Sequence, residues 1–233
     1  MTFTHDFSKW SRPGQGLAMR RAEPQARRRL ELVPLNDEAG QQAAEDFIRR
    51  RFSQAHRARV SHFMPRLFGL QSDDGSLYGA AGCRRADSGV LFLERYLDVP
   101  IEQAILAHCG IQVERHQIVE VGNLAASGLG TARTLIVKLT RLLALQGFRW
   151  VTFTGTQEVL NSFHRLGLAP QSLGLADPAR MGESLAEWGR YYDSAPQVVF
   201  GEILPAHRQL LEAPPATDSF AFIRAQRLQH HAA

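Results

Sequence analysis

The stretch from Glu120 to Leu135, EVGNLAASGLGTARTL, puts one carboxylate, the spaced glycines Gly128 and Gly130 and a helix start into sixteen residues. Two kinds of chemistry use such parts. A carboxylate on a strand can take a proton from a substrate amine when it lies within hydrogen-bond reach or one water away. A turn that opens a helix presents N–H groups with no partner inside the helix, and the positive end of the helix dipole points the same way. Ser127, Gly128, Leu129, Gly130, Thr131 and Ala132 form that turn, and its glycines let backbone approach a pyrophosphate with no side chain between. A tight turn with positive φ also asks for glycine, and a Glu flanked by Val119 and Val121 also reads as a salt-bridged strand residue. Neither nucleotide fingerprint fits, since a third glycine and a Gly-Lys-Ser/Thr are both missing. On the residues alone, cradle and ordinary turn stand level.

Elements must hold these residues in place. Arg28–Pro34 reads as a first strand, and Asp37 to about Arg59 as a helix. That helix carries Ala43, Ala44, Phe47, Ile48 and Phe52 on one side and many arginines on the other. Phe63–Leu70 and Leu77–Cys83 flank an Asp-Gly turn and predict an antiparallel hairpin. Val90–Pro100 is apolar and aromatic, and its proline opens a short helix that stops at Gly110. A strand at His116–Val121, a helix at Thr131–Gln146 and a strand at Arg149–Thr154 follow, and that unit requires parallel strands with a right-handed crossover. Gln157–Leu166 is helical, Asp177 caps a helix with Pro178 at its first position, and Gln197–Ile203 is a final strand. Alternation places Glu120 and Gly122 on one face of their strand and Val119, Val121 and Asn123 on the other. The expected fold class is α/β, a mixed sheet with helices on both faces. One domain spans 28–213, between a flexible basic arm at 1–27 and a tail at 214–233.

Composition narrows the function. With 233 residues, 44% of them hydrophobic, the chain can build one good core. The net charge of +4 is modest and sits mostly in the arm, so no nucleic-acid partner is expected. The arm lacks the apolar stretch of a secretory signal, and the most apolar window, Thr134–Leu145, contains Lys138 and Arg141 and is too short to span a bilayer. A soluble, cytoplasmic protein without a transmembrane segment is expected. Cys83 and Cys109 are the only cysteines, with no tight pair or histidine cluster, so neither zinc nor a structural disulfide is expected.

The order of elements resembles the GNAT acyltransferases, whose phosphate turn reads R/Q-x-x-G-x-G/A. AASGLG, from Ala125 to Gly130, lies over that pattern, with Ala125 where those enzymes carry Arg or Gln. FHRLGL, from Phe163 to Leu168, is similar to their Y-x-x-L-G-F segment, with Phe163 in place of the tyrosine that protonates the leaving thiolate. EVGNLA, from Glu120 to Ala125, is similar to the E-x-S-R-F/L segment of the acyl-homoserine-lactone synthases, built on the same fold. The acid is kept, while Gly122 and Asn123 replace Ser and Arg. From about Arg66 to Ile203 the chain resembles the thermostable hemolysin family, through LERYLDVPIE (Leu93–Glu102), WVTFT (Trp150–Thr154) and WGRYY (Trp188–Tyr192).

The resemblance implies a GNAT-like fold and N-acyl transfer. A medium or long acyl group would pass from acyl-CoA, or from the phosphopantetheine of an acyl-carrier protein, to a small-molecule amine. Glu120 would then be the general base, and Asn123 would orient substrate or cap the turn. Backbone N–H groups of Leu124 and Ala125 would hold the thioester oxygen, and those from Ser127 to Ala132 the pyrophosphate. Phe163 would lie beside the pantetheine, and Tyr191 or Tyr192 would supply the missing phenol unless they serve packing alone. No metal is implied. The family's name implies a competing class, a membrane-active hemolysin. The lost Arg/Gln and tyrosine fit a third, a non-catalytic acyl-CoA-binding sensor.

Overall fold

The computed structural model describes residues 29–212, so the arm at 1–27 and the tail at 214–233 lie outside the described residues. Strand β1 (Leu30–Leu35) leads into helix α1 (Glu38–His56), whose N-cap Asp37 accepts the Gly40 N–H at 3.1 Å. Hairpin β2 (Arg66–Ser72) and β3 (Leu77–Arg85) follows, with Gly75 at φ 79° in its turn. A short 3-10 stretch, Phe92–Tyr96, precedes α2 (Ile101–Cys109), which ends at Gly110 with φ 71°. Then come β4 (Ile118–Ala126), α3 (Leu129–Leu145), β5 (Trp150–Gly155), α4 (Gln157–His164) and β6 (Gln171–Leu175). A 3-10 segment at Pro178–Trp188, β7 (Gln197–Glu202) and α5 (Ile203–Glu212) complete the described chain.

The seven strands form one sheet in the order β1-β2-β3-β4-β5-β7-β6. Only β4 and β5 run parallel, as the helix between them requires. Alternating side chains supply two cores. On one face Leu35, Leu67, Ala80 and Ala125 meet Ala44, Phe47 and Ile48 of α1, and beside them Ile118, Trp150 and Phe200 meet Ile101 and Ile105 of α2. On the other, Phe68, Leu70, Val119 and Val121 meet Leu135, Leu139 and Leu143 of α3, with Leu160 of α4 and Ile203 of α5. Helices therefore cover both faces, and the mixed α/β sheet read from the sequence is the observed architecture.

Some elements differ from the sequence reading. Strand β6 was not expected: Gln-Ser-Leu-Gly-Leu lacks clear alternation, and the strand sits mostly exposed at the sheet edge beyond β7. The stretch after Asp177 starts as expected, with its carboxylate accepting the Ala179 N–H at 2.9 Å. It then runs as 3-10 turns broken at Gly182, where φ 55° and ψ −137° leave the helical region.

Candidate active site

The two parallel strands separate partway. β4 and β5 pair from Ile118↔Trp150 to Val121↔Phe153 and no further, although β4 continues to Ala126 beside β3 and β5 to Gly155 beside β7. A bulge marks the parting. Gly82 pairs with Gly122 but Ala80 with Ala125, so β4 carries one extra residue there, and Asn123 sits at φ 53°. A cleft of about 1140 Å³ passes through the opening. Leu124, Ile136, Leu139, Phe153, Phe163 and Ile203 line its apolar half, toward α3, α4 and α5. Arg51, His56, Arg59, Thr154, Glu187 and Tyr191 line a more polar half, toward α1 and the segment Pro178–Ser194.

Glu120 lies one residue before the parting, opposite Thr152, and is only 2% exposed although it borders the cleft. Its oxygens accept the backbone N–H groups of Phe92 and Leu93, both at 2.9 Å. That loop is itself fixed. Glu94 accepts from the N–H groups of Leu91 at 2.7 Å and Ile101 at 2.9 Å, and from the Arg115 guanidinium at 2.6 Å. Burial raises the Glu120 carboxyl above its ordinary value, and the two N–H donors offset this only in part. No cation forms an ion pair with Glu120 among the described residues, so the salt-bridged strand residue is not what the structure shows.

Asn123 follows the bulge and not the alternation. The sequence reading set it with the valines. Its Oδ1 instead accepts the Met64 N–H at 2.8 Å, and its Nδ2 donates to the His62 carbonyl at 3.2 Å. A Cβ on either Gly82 or Gly122 would run into Met64, so this glycine pair gives Met64 a flat seat on the sheet. Asn123 and the paired glycines thus pin the segment before β2 beside the cleft. The Asn123 amide meets this segment and not the glycine turn.

The turn itself has a telling backbone. Gly128 is the N-cap of α3 at φ 180° and ψ 172°, an extended conformation open to any residue, and no side chain caps the helix. Neither Gly128 nor Gly130 has a positive φ, and a Cβ on either would meet nothing within 4 Å. The fold does not require glycine at these positions, so the tight-turn explanation loses its physical basis. Ser127 Oγ lies 3.2 Å from Thr131 Oγ1 across the turn. The turn adjoins Leu124 and Ala125, whose strand loses its β5 partner past Val121.

Phe163 stacks on Phe153 with ring centroids 4.9 Å apart and lines the cleft, where it offers no proton. The two tyrosines divide. Tyr192 is 2.6 Å from the Tyr96 hydroxyl and off the cleft. Tyr191 lines the cleft, and its hydroxyl donates to the Thr154 carbonyl at 3.4 Å. Burial raises the Tyr191 phenol well above its ordinary value, so it keeps its proton at neutral pH. The His56 ring packs edge-on against Tyr191 at 5.2 Å, and burial lowers the imidazole, which stays neutral at neutral pH. Sequence reasoning missed His56, as well as Arg51 and Arg59. No spacing signal links them, because α1 ends at His56 and Arg59 lies beyond its left-handed cap at Arg57.

The end of α1 is tied to the segment Pro178–Ser194 by backbone. Arg190 N–H donates to the His56 carbonyl at 2.6 Å, and Arg59 N–H to the Glu187 carbonyl at 2.6 Å. Gly189, at φ 52°, passes so close to the carbonyls of His56 and Arg57 that a Cβ would meet them at 2.5 and 2.6 Å. Here glycine is required. Neither cysteine lines the cleft, and burial pushes the Cys83 thiol up to about 12, far from a thiolate nucleophile. Among the described residues, no group of three or more His, Cys, Asp or Glu is placed to hold a metal ion. No described helix is long and apolar enough to cross a membrane.

The sequence matches the family described as thermostable hemolysin from residue 35 to 207, most of the chain. The chain belongs to the thermostable hemolysin family. No curated protein matches this hemolysin-family chain by sequence. Among solved structures it is similar to LasI, an AHL synthase, with a TM-score of 0.55 and 10% identity over 82% of this chain and 99% of that one. It is similar to FeeM, an N-acyl amino acid synthase from uncultured soil microbes, with a TM-score of 0.53 and 15% identity over 79% of this chain and 96% of that one. BjaI, a CoA-dependent acyl-homoserine lactone synthase solved with SAM and isopentyl-CoA, gives a TM-score of 0.52 and 13% identity over 84% and 98%. At such identities the likeness establishes the fold, a GNAT-like one in the terms of the sequence reading.

Proposed function

We propose that this chain is an N-acyltransferase that moves a medium or long acyl group from acyl-CoA, or from an acyl-carrier protein, to a small-molecule amine. The observation that carries the reading is the parting of β4 and β5, with a glycine turn the fold does not need at one end and a cleft of about 1140 Å³ running through it. The N–H groups from Gly128 to Thr131 hold the donor's pyrophosphate, since Ser127 and Ala132, also expected there, donate theirs to the Tyr78 and Gly128 carbonyls at 2.9 Å, and the pantetheine lies along the free edge of β4 beside Phe163. The N–H of Leu124, on the edge that β5 leaves, faces the thioester oxygen as charge develops, whereas Ala125, also expected there, pairs with Ala80 of β3 and turns its N–H to that strand. The apolar half receives the acyl chain. Glu120, directly or through one water, takes the proton of the attacking amine, and the thiolate that leaves as the C–S bond breaks takes up a proton in turn, so that Glu120 is released as the carboxylate. Asn123 acts at one remove, by holding the segment that walls the amine side. The kinship of fold with two acyl-homoserine lactone synthases and an N-acyl amino acid synthase supports this reading.

Acyl-CoA binding tests it without knowledge of the amine. Each buried CH₂ contributes about 0.8 kcal/mol. Affinity is therefore expected to rise from acetyl-CoA through dodecanoyl-CoA. Dodecanoyl-CoA at a hundred times its Kd stabilises by about 2.7 kcal/mol, which raises Tm by about 5–11 °C for a chain of this size. A thermal-shift series with equal concentrations of each thioester reads this directly. No shift with any chain length would remove the proposal, and a shift equal for acetyl and dodecanoyl would remove the long chain from it.

A further inference from the structure

Three buried side-chain polar atoms lack a hydrogen-bond partner among the described residues: Arg51 Nε, Trp150 Nε1 and Thr154 Oγ1. All three belong to residues that line the cleft. A buried polar group left unpaired is costly; Trp150 packs in the core against α2, while Arg51 and Thr154 belong to the polar half of the cleft, where a ligand can supply partners. Arg51 is the charged member. Its Nη1 donates only to the neutral Gln54 Oε1, at 3.0 Å, and it forms no ion pair with a described carboxylate. Acids are not scarce nearby. Arg49, two residues earlier on the same helix, pairs with Glu45 at 2.8 Å and Asp46 at 2.9 Å. Arg50 lies over the Phe47 ring and away from the cleft, whereas Arg51 lines it, as does Arg59 beyond the end of the helix, and of these Arg51 holds the buried unpaired nitrogen.

The same half of the cleft holds the opposite charge. Glu187 accepts a hydrogen bond from Ser61 Oγ, which lies 2.8 Å from His62 Nδ1, and no described cation forms an ion pair with Glu187. A cleft that offers a free guanidinium and a free carboxylate fits a small zwitterion better than a neutral or purely cationic amine. A guanidinium binds a carboxylate through two parallel N–H bonds, a geometry an ammonium cannot match.

We propose that the acceptor is an amine that also carries a carboxylate, as an amino acid does, and that Arg51 binds that carboxylate. The inference rests on the acyl-transfer reading for the identity of the site, but not for the anion contact itself. The donor also carries anions, its phosphates, and the test must separate the two sources.

Wild type, Arg51→Met and Arg51→Lys are assayed with dodecanoyl-CoA by release of free thiol. The acceptors are leucine, phenylalanine and glutamate, each beside its decarboxylated amine. Wild type is expected to favour the carboxylate-bearing partner by about 10–100-fold in kcat/KM, the worth of a hydrogen-bonded charge. Arg51→Met should bring that ratio close to one, and Arg51→Lys should keep part of it. In parallel, calorimetry compares N-dodecanoyl-leucine with N-isopentyl-dodecanamide and measures dodecanoyl-CoA binding to each variant; melting curves confirm that each is folded. Turnover with no preference in wild type overturns the inference and leaves acyl transfer standing. A preference unchanged in a folded Arg51→Met, with weaker dodecanoyl-CoA binding, also overturns it and gives Arg51 to the donor's phosphates. No thiol release with any amine, but acyl-leucine binding that Arg51→Met weakens by about 10–100-fold, supports the carboxylate site and sinks acyl transfer. Neither release nor Arg51-dependent binding sinks both.

Discussion

Glu120→Gln is expected to lower turnover at saturating donor by about 10²–10⁴-fold, the usual contribution of a positioned base. The substitution does more than remove the charge. Both Glu120 oxygens accept backbone N–H groups, so an amide nitrogen must face the donor of Phe92 or of Leu93. That donor loses its acceptor, at about 1–3 kcal/mol. A fall in melting temperature is therefore expected whether or not Glu120 is the base, and stability alone does not discriminate. Rate does. Because burial raises the Glu120 carboxyl, the acid limb of the wild-type kcat/KM profile should lie above the ordinary carboxylate range. Below that point the base is protonated and inactive, and above it active. The variant should lack this limb, and its deficit should shrink as pH rises, because more amine arrives already deprotonated. Near-normal turnover in folded Glu120→Gln would confine Glu120 to anchoring the Phe92–Leu93 loop and move the base role to His56, the neutral imidazole that lines the polar half of the cleft.

Gly130→Phe is expected to weaken coenzyme A binding by about 100-fold, the loss of one or two charge-assisted bonds between N–H and phosphate. The folded protein should meanwhile be as stable as wild type or slightly more so. A Cβ at Gly130 meets nothing, its φ is not positive, and glycine within a helix costs about 0.5–1 kcal/mol relative to alanine. The opposite signs give the test its power, because a glycine kept for folding would show both quantities falling together. Calorimetry with coenzyme A and a melting curve for the variant are sufficient. Unchanged affinity would return the turn to a plain connection.

Much of this site was legible in the sequence, and its failures have local causes. The pattern from His116 to Thr154 predicted the parallel pair, the helix between and the glycine turn, because apolar periodicity switches there from two to 3.6. Glu120 fell on the predicted strand, but β4 runs on to Ala126, so it is the parting from β5 after Val121 and not the strand's end that sets Glu120 at the cleft. Alternation then failed at Asn123, since one bulged residue at φ 53° redirects every side chain beyond it, and no single-sequence pattern announces such a bulge. Arg51 was assigned to solvent because an arginine on an amphipathic helix usually belongs there. What turns it toward the cleft is the segment Pro178–Ser194, which folds against the end of α1 more than a hundred residues later. Gly189 carried a signal that could not be read alone, because its reason is the close passage of the His56 and Arg57 carbonyls.

The most direct measurement is product formation. Purified protein is mixed with dodecanoyl-CoA and a set of amines and amino acids, and free coenzyme A and new amide are quantified by mass spectrometry. The account predicts one amide for each coenzyme A released with at least one acceptor, and no amide when either substrate is left out. It would be contradicted by the absence of any amide across the set while the same protein, without acyl donor, releases dye from lipid vesicles.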